Sequence, residues 1–192
     1  TANPALSSLR DAEIVHFATH AVFDSVFDAF SGLVLSPASV EDDGFLMGYE
    51  LANAALSSNL VALSGCETGR GRVVTGEGVL GLPRLFLNAG VASVVMTQWK
   101  LNDYTASRLM PAFYEALLSD GESKITALAK AKRSFLSAEG DQKYHHPFYW
   151  AAFSLYGSPG GVSGNRMPFM VPILFGFGLL LILWGIFRMQ KA

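Results

Sequence analysis

Short apolar runs alternate with amphipathic segments along most of the chain. The predicted strands are five apolar or β-branched runs: residues 13–19, 32–36, 59–65, 91–99 and 147–157. The predicted helices have apolar residues three and four apart: residues 47–56, residues 76–90, a segment through 106–117 and one that starts at Ser123. Strands and helices that alternate with short connections predict an α/β fold, a mostly parallel sheet flanked by helices.

The C-terminal end has a different pattern. Residues 168–187 contain no charged side chain and are apolar almost throughout, and 20 residues of helix are long enough to span a hydrocarbon core. Trp184, Arg188 and Lys191 are suited to anchor such a helix at a membrane interface. The alternative is a buried core helix, although core helices are usually shorter and carry a polar face. We expect a globular domain over residues 1–160, a linker at 161–167, a transmembrane helix at 168–187 and a tail at 188–192.

Charge and cysteine content narrow the possible functions. The formal net charge is −2, which gives no reason to expect a nucleic-acid partner. The single cysteine, Cys66, cannot form an internal disulfide, so an unpaired thiol in a reducing compartment is the simpler interpretation. His145 and His146 are adjacent and lack partners at ligand spacing, so we expect neither a metal site nor a cofactor.

Two predicted strands end at residues that suit nucleophilic catalysis. Residues 13–19 lead to His20, and residues 59–65 lead to Cys66. Sites in parallel sheets lie at the carboxyl ends of strands, so both groups are expected at one edge of the sheet. A thiol needs a nearby histidine or helix N-terminus to favour the thiolate. The alternative is a buried cysteine and an incidental histidine.

Four motifs in order resemble those of the CHAT family of caspase-like peptidases, related to caspases and separase. They are "HFATHA", "LSGCETG", "GEGVLGLPRLFLNAGVASVVMTQWKLND" and "HPFYWAAFSLYGSPG". The resemblance implies a caspase-haemoglobinase fold and a cysteine endopeptidase with His20 and Cys66 as its catalytic dyad. It also implies that the backbone N–H groups of Cys66 and Ala21 hold the oxyanion. The chain departs from the family at Ala21, where glycine is usual, and at Gly65, where alanine is common.

Substrate-binding residues are harder to predict. By resemblance, the strand and loop that follow the cysteine helix line the pocket for the residue before the cut. Residues 97–103 occupy that place, which makes Asp103 and Trp99 candidates. Asp103 could pair with a basic side chain, as in related peptidases, or could instead be the N-cap of the following helix. Trp99 could form a wall of the pocket or pack in the core. We expect His16 to be a structural neighbour of the dyad rather than a catalytic residue.

The resemblance covers only the later part of a typical family domain. Its front strands are expected to come from elsewhere, either a longer chain or another subunit. We therefore expect a single-pass membrane protein whose catalytic domain lies on the cytoplasmic side and acts on specific protein substrates, in a signalling, stress or defence response. The rival interpretations are a catalytically silent scaffold that binds a partner and, less favoured, a small-molecule thiol hydrolase or transferase.

Overall fold

The structure is a computed structural model in which the chain divides into two compact units, Thr1–Val162 and Ser163–Ala192. It describes residues 6, 9–10, 12–24, 26–37, 39–40, 42–65, 72–74, 78–138 and 142–162. Within these ranges no helix is long and apolar enough to cross a membrane. The predicted transmembrane helix at 168–187 lies outside the described residues, as does Cys66.

Nine strands lie in the described ranges. In chain order they are β1 (Ile14–Phe17), β2 (Ala21–Val22), β3 (Gly32–Val34), β4 (Phe45–Met47), β5 (Leu60–Leu63), β6 (Arg72–Val74), β7 (Gly78–Leu80), β8 (Ser93–Thr97) and β9 (Phe153–Gly157). The central sheet has the order β1-β5-β8-β9, with β1, β5 and β8 parallel and β9 antiparallel to β8. This confirms the predicted mostly parallel sheet.

Five α-helices with defined bounds lie in the described ranges. They are α1 (Gly48–Ala52), α2 (Leu82–Asn88), α3 (Asp103–Tyr114), α4 (Lys124–Ala138) and α5 (Pro147–Trp150). The helix α3 continues into a π-helical turn, Glu115–Ser119, and two short 3-10 turns lie at Asp28–Phe30 and Gln142–His145. Ser123 caps the first turn of α4 as predicted, because its hydroxyl accepts a hydrogen bond from the Thr126 N–H at 3.2 Å.

Helices cover both faces of the central sheet, because alternate residues of each strand point to opposite faces. Leu60 and Ala62 of β5 lie in one buried cluster with residues of α3 and α4, including Phe113. Val61 and Leu63 lie in a second cluster on the other face with Phe86 of α2. The strand β5 is fully buried on both sides, which explains its continuous apolar run.

The pairing of β1 with β5 aligns the carboxyl ends of the two strands. Ile14 pairs with Leu60 and Phe17 pairs with Leu63. Beyond the last pair, the Ser64 N–H donates to the Phe17 carbonyl at 3.1 Å. The segments that follow β1 and β5 therefore begin at the same edge of the sheet.

Two smaller antiparallel sheets differ from the predicted pattern. β2, β3 and β4 form one, and β6 and β7 form the other. The predicted helix at 76–90 is wrong in its first part, since Gly78–Leu80 is a strand and the helix begins at Leu82, directly before Pro83. The predicted helix at 47–56 is shorter, Gly48–Ala52.

The last predicted strand, 147–157, is wrong in its first part. Pro147–Trp150 is a helical turn, and the strand begins at Phe153. His146 caps this turn, because its Nδ1 accepts a hydrogen bond from the Phe148 N–H at 3.2 Å. His146 thus has a fold-forming role.

Candidate active site

A cavity of about 570 Å³ opens at the carboxyl ends of β1 and β5, next to α3. The sheet contributes polar groups that include His16, His20 and Ser64, and α3 contributes Asp103 and Ser107. The cavity therefore lies at the edge where the sequence predicts the chemistry, and one helix forms its opposite wall.

His20 is exposed in this cavity, and its backbone is fixed by β3. The Val34 N–H donates to the His20 carbonyl at 2.9 Å, and the Thr19 hydroxyl donates to the Val34 carbonyl. The turn after β1 is thus held by the antiparallel sheet β2-β3-β4, while the imidazole remains accessible.

Ala21 is the first residue of β2, so its backbone is extended and does not need the conformational freedom of glycine. Ala21 lies opposite Leu33 in the antiparallel ladder. The next pair, His20 and Val34, is joined by the hydrogen bond from the Val34 N–H to the His20 carbonyl. Hydrogen-bonded and non-hydrogen-bonded pairs alternate along such a ladder, so Ala21 and Leu33 form a non-hydrogen-bonded pair. The Ala21 N–H consequently points away from β3 instead of into the ladder. Alanine at this position preserves a backbone donor next to His20.

Gly65 lets the ends of β1 and β5 approach each other closely. A Cβ atom built on Gly65 would lie 1.6 Å from the Thr19 carbonyl oxygen, far inside contact distance. The Gly65 carbonyl also accepts a hydrogen bond from the buried Thr97 hydroxyl at 3.2 Å. In sequence, Thr19 precedes His20 and Gly65 precedes Cys66. The residues next to the two predicted catalytic groups are therefore in backbone contact.

The N-terminus of α3 corrects one expectation about Asp103. The N-cap is Asn102, whose side-chain oxygen accepts hydrogen bonds from the Thr105 N–H at 3.0 Å and the Thr105 hydroxyl at 2.8 Å. The alternative role of Asp103 as the N-cap is wrong. Asp103 instead occupies the first helical turn and lines the cavity.

Pro111 gives the helical wall a second acceptor. It lies inside α3, and because proline has no N–H it cannot donate to the Ser107 carbonyl four residues earlier. Both residues line the cavity. The Ser107 hydroxyl donates to the Tyr104 carbonyl at 2.9 Å, so its oxygen also keeps acceptor capacity. The wall that holds Asp103 is therefore rich in hydrogen-bond acceptors.

The contact between His16 and Ser64 is not among the features predicted from the sequence. His16 Nε2 and Ser64 Oγ lie 2.7 Å apart, and both side chains line the cavity. Desolvation by the surrounding atoms lowers the pKa of the His16 imidazole below its ordinary value. The alternation of side chains along the two strands could have predicted this contact. His16 is two residues after Ile14 and Ser64 is four after Leu60, so both lie on the face of the sheet that carries Ile14 and Leu60.

Trp99 does not belong to the residues that line this cavity. It packs against the core cluster beneath α3, stacks on Phe148 at a ring distance of 6.3 Å, and donates its indole N–H to the Phe148 carbonyl at 2.8 Å. Its observed role is packing. Within the described residues, no group of three or more histidine, cysteine, aspartate or glutamate side chains is arranged to hold a metal ion.

Comparison with known proteins agrees with this architecture. The sequence is 28% identical to tetratricopeptide repeat protein 28 of Mus musculus over an alignment of 195 residues. The Homo sapiens protein of the same name is also 28% identical over 195 residues. Each alignment covers 82% of this chain and 8% of the relative, so the chain spans only a small part of their length. Residues 2–158 match the CHAT domain, and the chain therefore belongs to the CHAT domain family.

Proposed function

We propose that the protein is a cysteine endopeptidase in which His20 and Cys66 form the catalytic dyad. The observation that carries the proposal is the contact between Gly65 and the Thr19 carbonyl oxygen, because the residues that follow them in sequence are Cys66 and His20. Consecutive Cα atoms are about 3.8 Å apart, so each catalytic residue is one residue from a point of contact. The exposure of His20 in the cavity also supports the proposal.

The dyad would act in two steps. The Cys66 thiolate attacks the scissile carbonyl carbon, the C–N bond breaks, and the His20 imidazolium gives its proton to the leaving amine. The resulting thioester is then attacked by a water molecule that gives a proton to His20. The C–S bond breaks, the new carboxyl terminus leaves, and the thiolate and imidazolium are restored.

The tetrahedral intermediate of each step carries a negative charge on oxygen, which backbone N–H groups can stabilise. Ala21 offers such a donor, because its N–H points away from the β2–β3 ladder. The N–H of Cys66 would be the second donor. Loss of one such donor typically costs about 10²–10³ in kcat, so the pairing pattern at Ala21 is a requirement of the proposal.

The acceptor-rich wall favours a basic side chain before the cleaved bond. Asp103 provides a carboxylate, and the Ser107 carbonyl lacks its regular helical donor because of Pro111. A guanidinium has five N–H donors and an ammonium has three, and neither has an acceptor. Among the described residues that line the cavity, none is a lysine or an arginine.

The membrane tether and a further strand from another segment or subunit are additional parts of the proposal. Residues 168–187 would hold the domain of residues 1–160 at a bilayer through the linker at 161–167, on the cytoplasmic side, close to membrane-bound substrates. The strand β1 lies at one edge of the described central sheet. The Phe17 carbonyl pairs with β5, so the backbone groups of His16 point outward and could pair with a strand from another segment or subunit.

Cleavage of a peptide library by the full chain in lipid nanodiscs tests the proposal. We expect cleavage after arginine or lysine, and loss of activity by at least about 10³ in Cys66→Ala and His20→Ala, because each removes a member of the dyad. The matched control is His145→Ala, which removes a histidine that does not line the cavity. Unchanged cleavage in Cys66→Ala would contradict the proposed mechanism.

A scaffold is the second candidate, and the relatives favour it in one respect: their names describe repeats and no enzymatic activity. A scaffold should keep its cellular function in Cys66→Ala, whereas a peptidase should lose it. Complementation of a deletion strain by the wild type and by Cys66→Ala therefore separates the two candidates.

A further inference from the structure

The pair formed by His16 and Ser64 has no part in the dyad, although it lies inside the same cavity. The 2.7 Å separation of His16 Nε2 and Ser64 Oγ is a short hydrogen bond between the ends of two neighbouring strands. The Ser64 N–H is already bonded to the Phe17 carbonyl, so the backbone of Ser64 is fixed. The hydroxyl proton of Ser64 and the protonation state of His16 can therefore change without a movement of the backbone.

These two protons are coupled. When Nε2 of neutral His16 is unprotonated, it accepts a hydrogen bond from the Ser64 hydroxyl, and the lone pairs of the serine oxygen stay available to a donor in the cavity. When His16 is protonated, Nε2–H donates to Ser64, and the serine hydroxyl turns its own proton toward the cavity. Protonation thus adds one positive charge and changes Ser64 from an acceptor to a donor.

The other groups that face His16 do not cancel this change. The Tyr114 ring of α3 lies 5.7 Å from the His16 ring, and burial raises the pKa of its hydroxyl to about 12, so it stays neutral. Among the described residues that line the cavity, Asp103 of α3 and His20 are the other titratable side chains. Asp103 contributes a carboxylate, which attracts a cationic side chain when His16 is neutral.

We propose that His16 is a specificity-determining residue: in its neutral form it admits a cationic side chain to the cavity, and in its protonated form it excludes one. This inference rests on the proposed function in one respect: the cationic side chain that enters the cavity is taken to be the basic side chain of the substrate. It makes His16 a regulator of binding and gives it no role in bond cleavage. The lowered pKa of His16 supports it, since the neutral, admitting form then prevails at neutral pH.

Calorimetric titration with 1-butylguanidine and its uncharged analogue 1-butylurea tests the inference without any cleavage reaction. The parent is full-length Cys66→Ala, compared with the double variants that add His16→Gln or His20→Gln. Glutamine can hydrogen-bond to Ser64 but cannot become charged. In the parent, butylguanidinium affinity should fall as the pH drops from about 8 to about 5, by up to about tenfold per pH unit, because only the neutral fraction binds.

His16→Gln should remove this pH dependence and His20→Gln should retain it, while binding of butylurea should vary little with pH. A pH dependence that persists in His16→Gln overturns the inference, and so does an absence of butylguanidinium binding at every pH. If the wild type cleaves peptides but butylguanidinium binding to the Cys66→Ala parent does not depend on pH, only the inference about His16 is refuted. Gated binding in a chain that cleaves no peptide would refute the proposed peptidase alone.

A second measurement uses the unsubstituted side chain, in case His16→Gln does not fold. Linkage is reciprocal, so saturating butylguanidine should lower the pKa of the His16 imidazole, followed by the NMR shift of its Cε1 proton. The His145 and His146 signals serve as internal controls and should not respond. An unchanged His16 titration in the presence of bound probe would overturn the inference.

Discussion

Gly65→Ala is a small substitution that should disrupt the junction of the two strands. The new Cβ would lie 1.6 Å from the Thr19 carbonyl oxygen, whereas ordinary contact begins at 3.4 Å. The two backbone segments would therefore have to separate by 1.8 Å. The backbone fixes the position of the Cβ, and the Thr19 oxygen is a backbone atom, so no side-chain rotation can relieve the clash.

The cost follows from what holds the junction together. Overpacking of this kind typically costs about 1–3 kcal/mol. A separation of the strands would also weaken the hydrogen bonds from Thr97 to Gly65 and from Ser64 to Phe17, each worth about 1 kcal/mol net. We expect a loss of about 3 kcal/mol in the free energy of unfolding, which for a chain of this size lowers Tm by about 6–12 °C.

Thermal unfolding followed by circular dichroism measures this loss, and Gly161→Ala is the matched control. A Cβ on Gly161 meets no atom within 4 Å, so that variant should stay within about 0.5 kcal/mol of the wild type. Cleavage activity should fall in Gly65→Ala even below its melting temperature, because the residues next to His20 and Cys66 move apart. A Gly65→Ala variant with wild-type stability and activity would refute the reasoning.

Three further predictions concern single side chains. Asn102→Ala should cost about 1 kcal/mol in chemical denaturation, because the Thr105 N–H and hydroxyl lose their acceptor. Thr105→Val removes only the hydroxyl and keeps the capped N–H, so it should cost less, and an equal or larger loss would contradict this explanation. Tyr114→Phe should leave the free energy of unfolding unchanged or raise it by up to about 1 kcal/mol, because the buried Tyr114 hydroxyl has no hydrogen-bond partner among the described residues. A clear loss of stability would contradict this and reveal a partner for the hydroxyl. The pKa of His16 is lower in the folded chain than in the unfolded chain, so the folded chain binds fewer protons there once the pH falls below about 6.5. The wild type should therefore lose more stability on acidification than His16→Gln. Parallel curves of Tm against pH for the two proteins would contradict this.

The elements that the sequence predicts well are those with a strong local signal. The buried strand β5 has a continuous apolar run, and the Ser123 hydroxyl begins α4 in the expected way. The meeting of β1 and β5 at one edge follows from the rule for parallel sheets. The cavity beside His20 agrees with that expectation.

The elements that it predicts poorly depend on tertiary contacts. Residues 76–90 contain helix-like spacing from the start, yet Gly78–Leu80 pairs with β6, and only a partner strand makes that conformation favourable. Asn102 and Asp103 are adjacent and both suit an N-cap, so one residue of register decides which one lines the cavity. The bond between His16 and Ser64 joins residues 48 positions apart and has no local signal.

The most direct test of the central claim is the rate of Cys66 alkylation by iodoacetamide as a function of pH, in the full chain and in His20→Ala. The chain has one cysteine, so the reaction reports on Cys66 alone. We expect an apparent pKa of the Cys66 thiol well below the roughly 8.5 of a free thiol, and a higher apparent pKa in His20→Ala. An ordinary thiol pKa, or identical profiles in the two proteins, would contradict the claim that His20 activates Cys66.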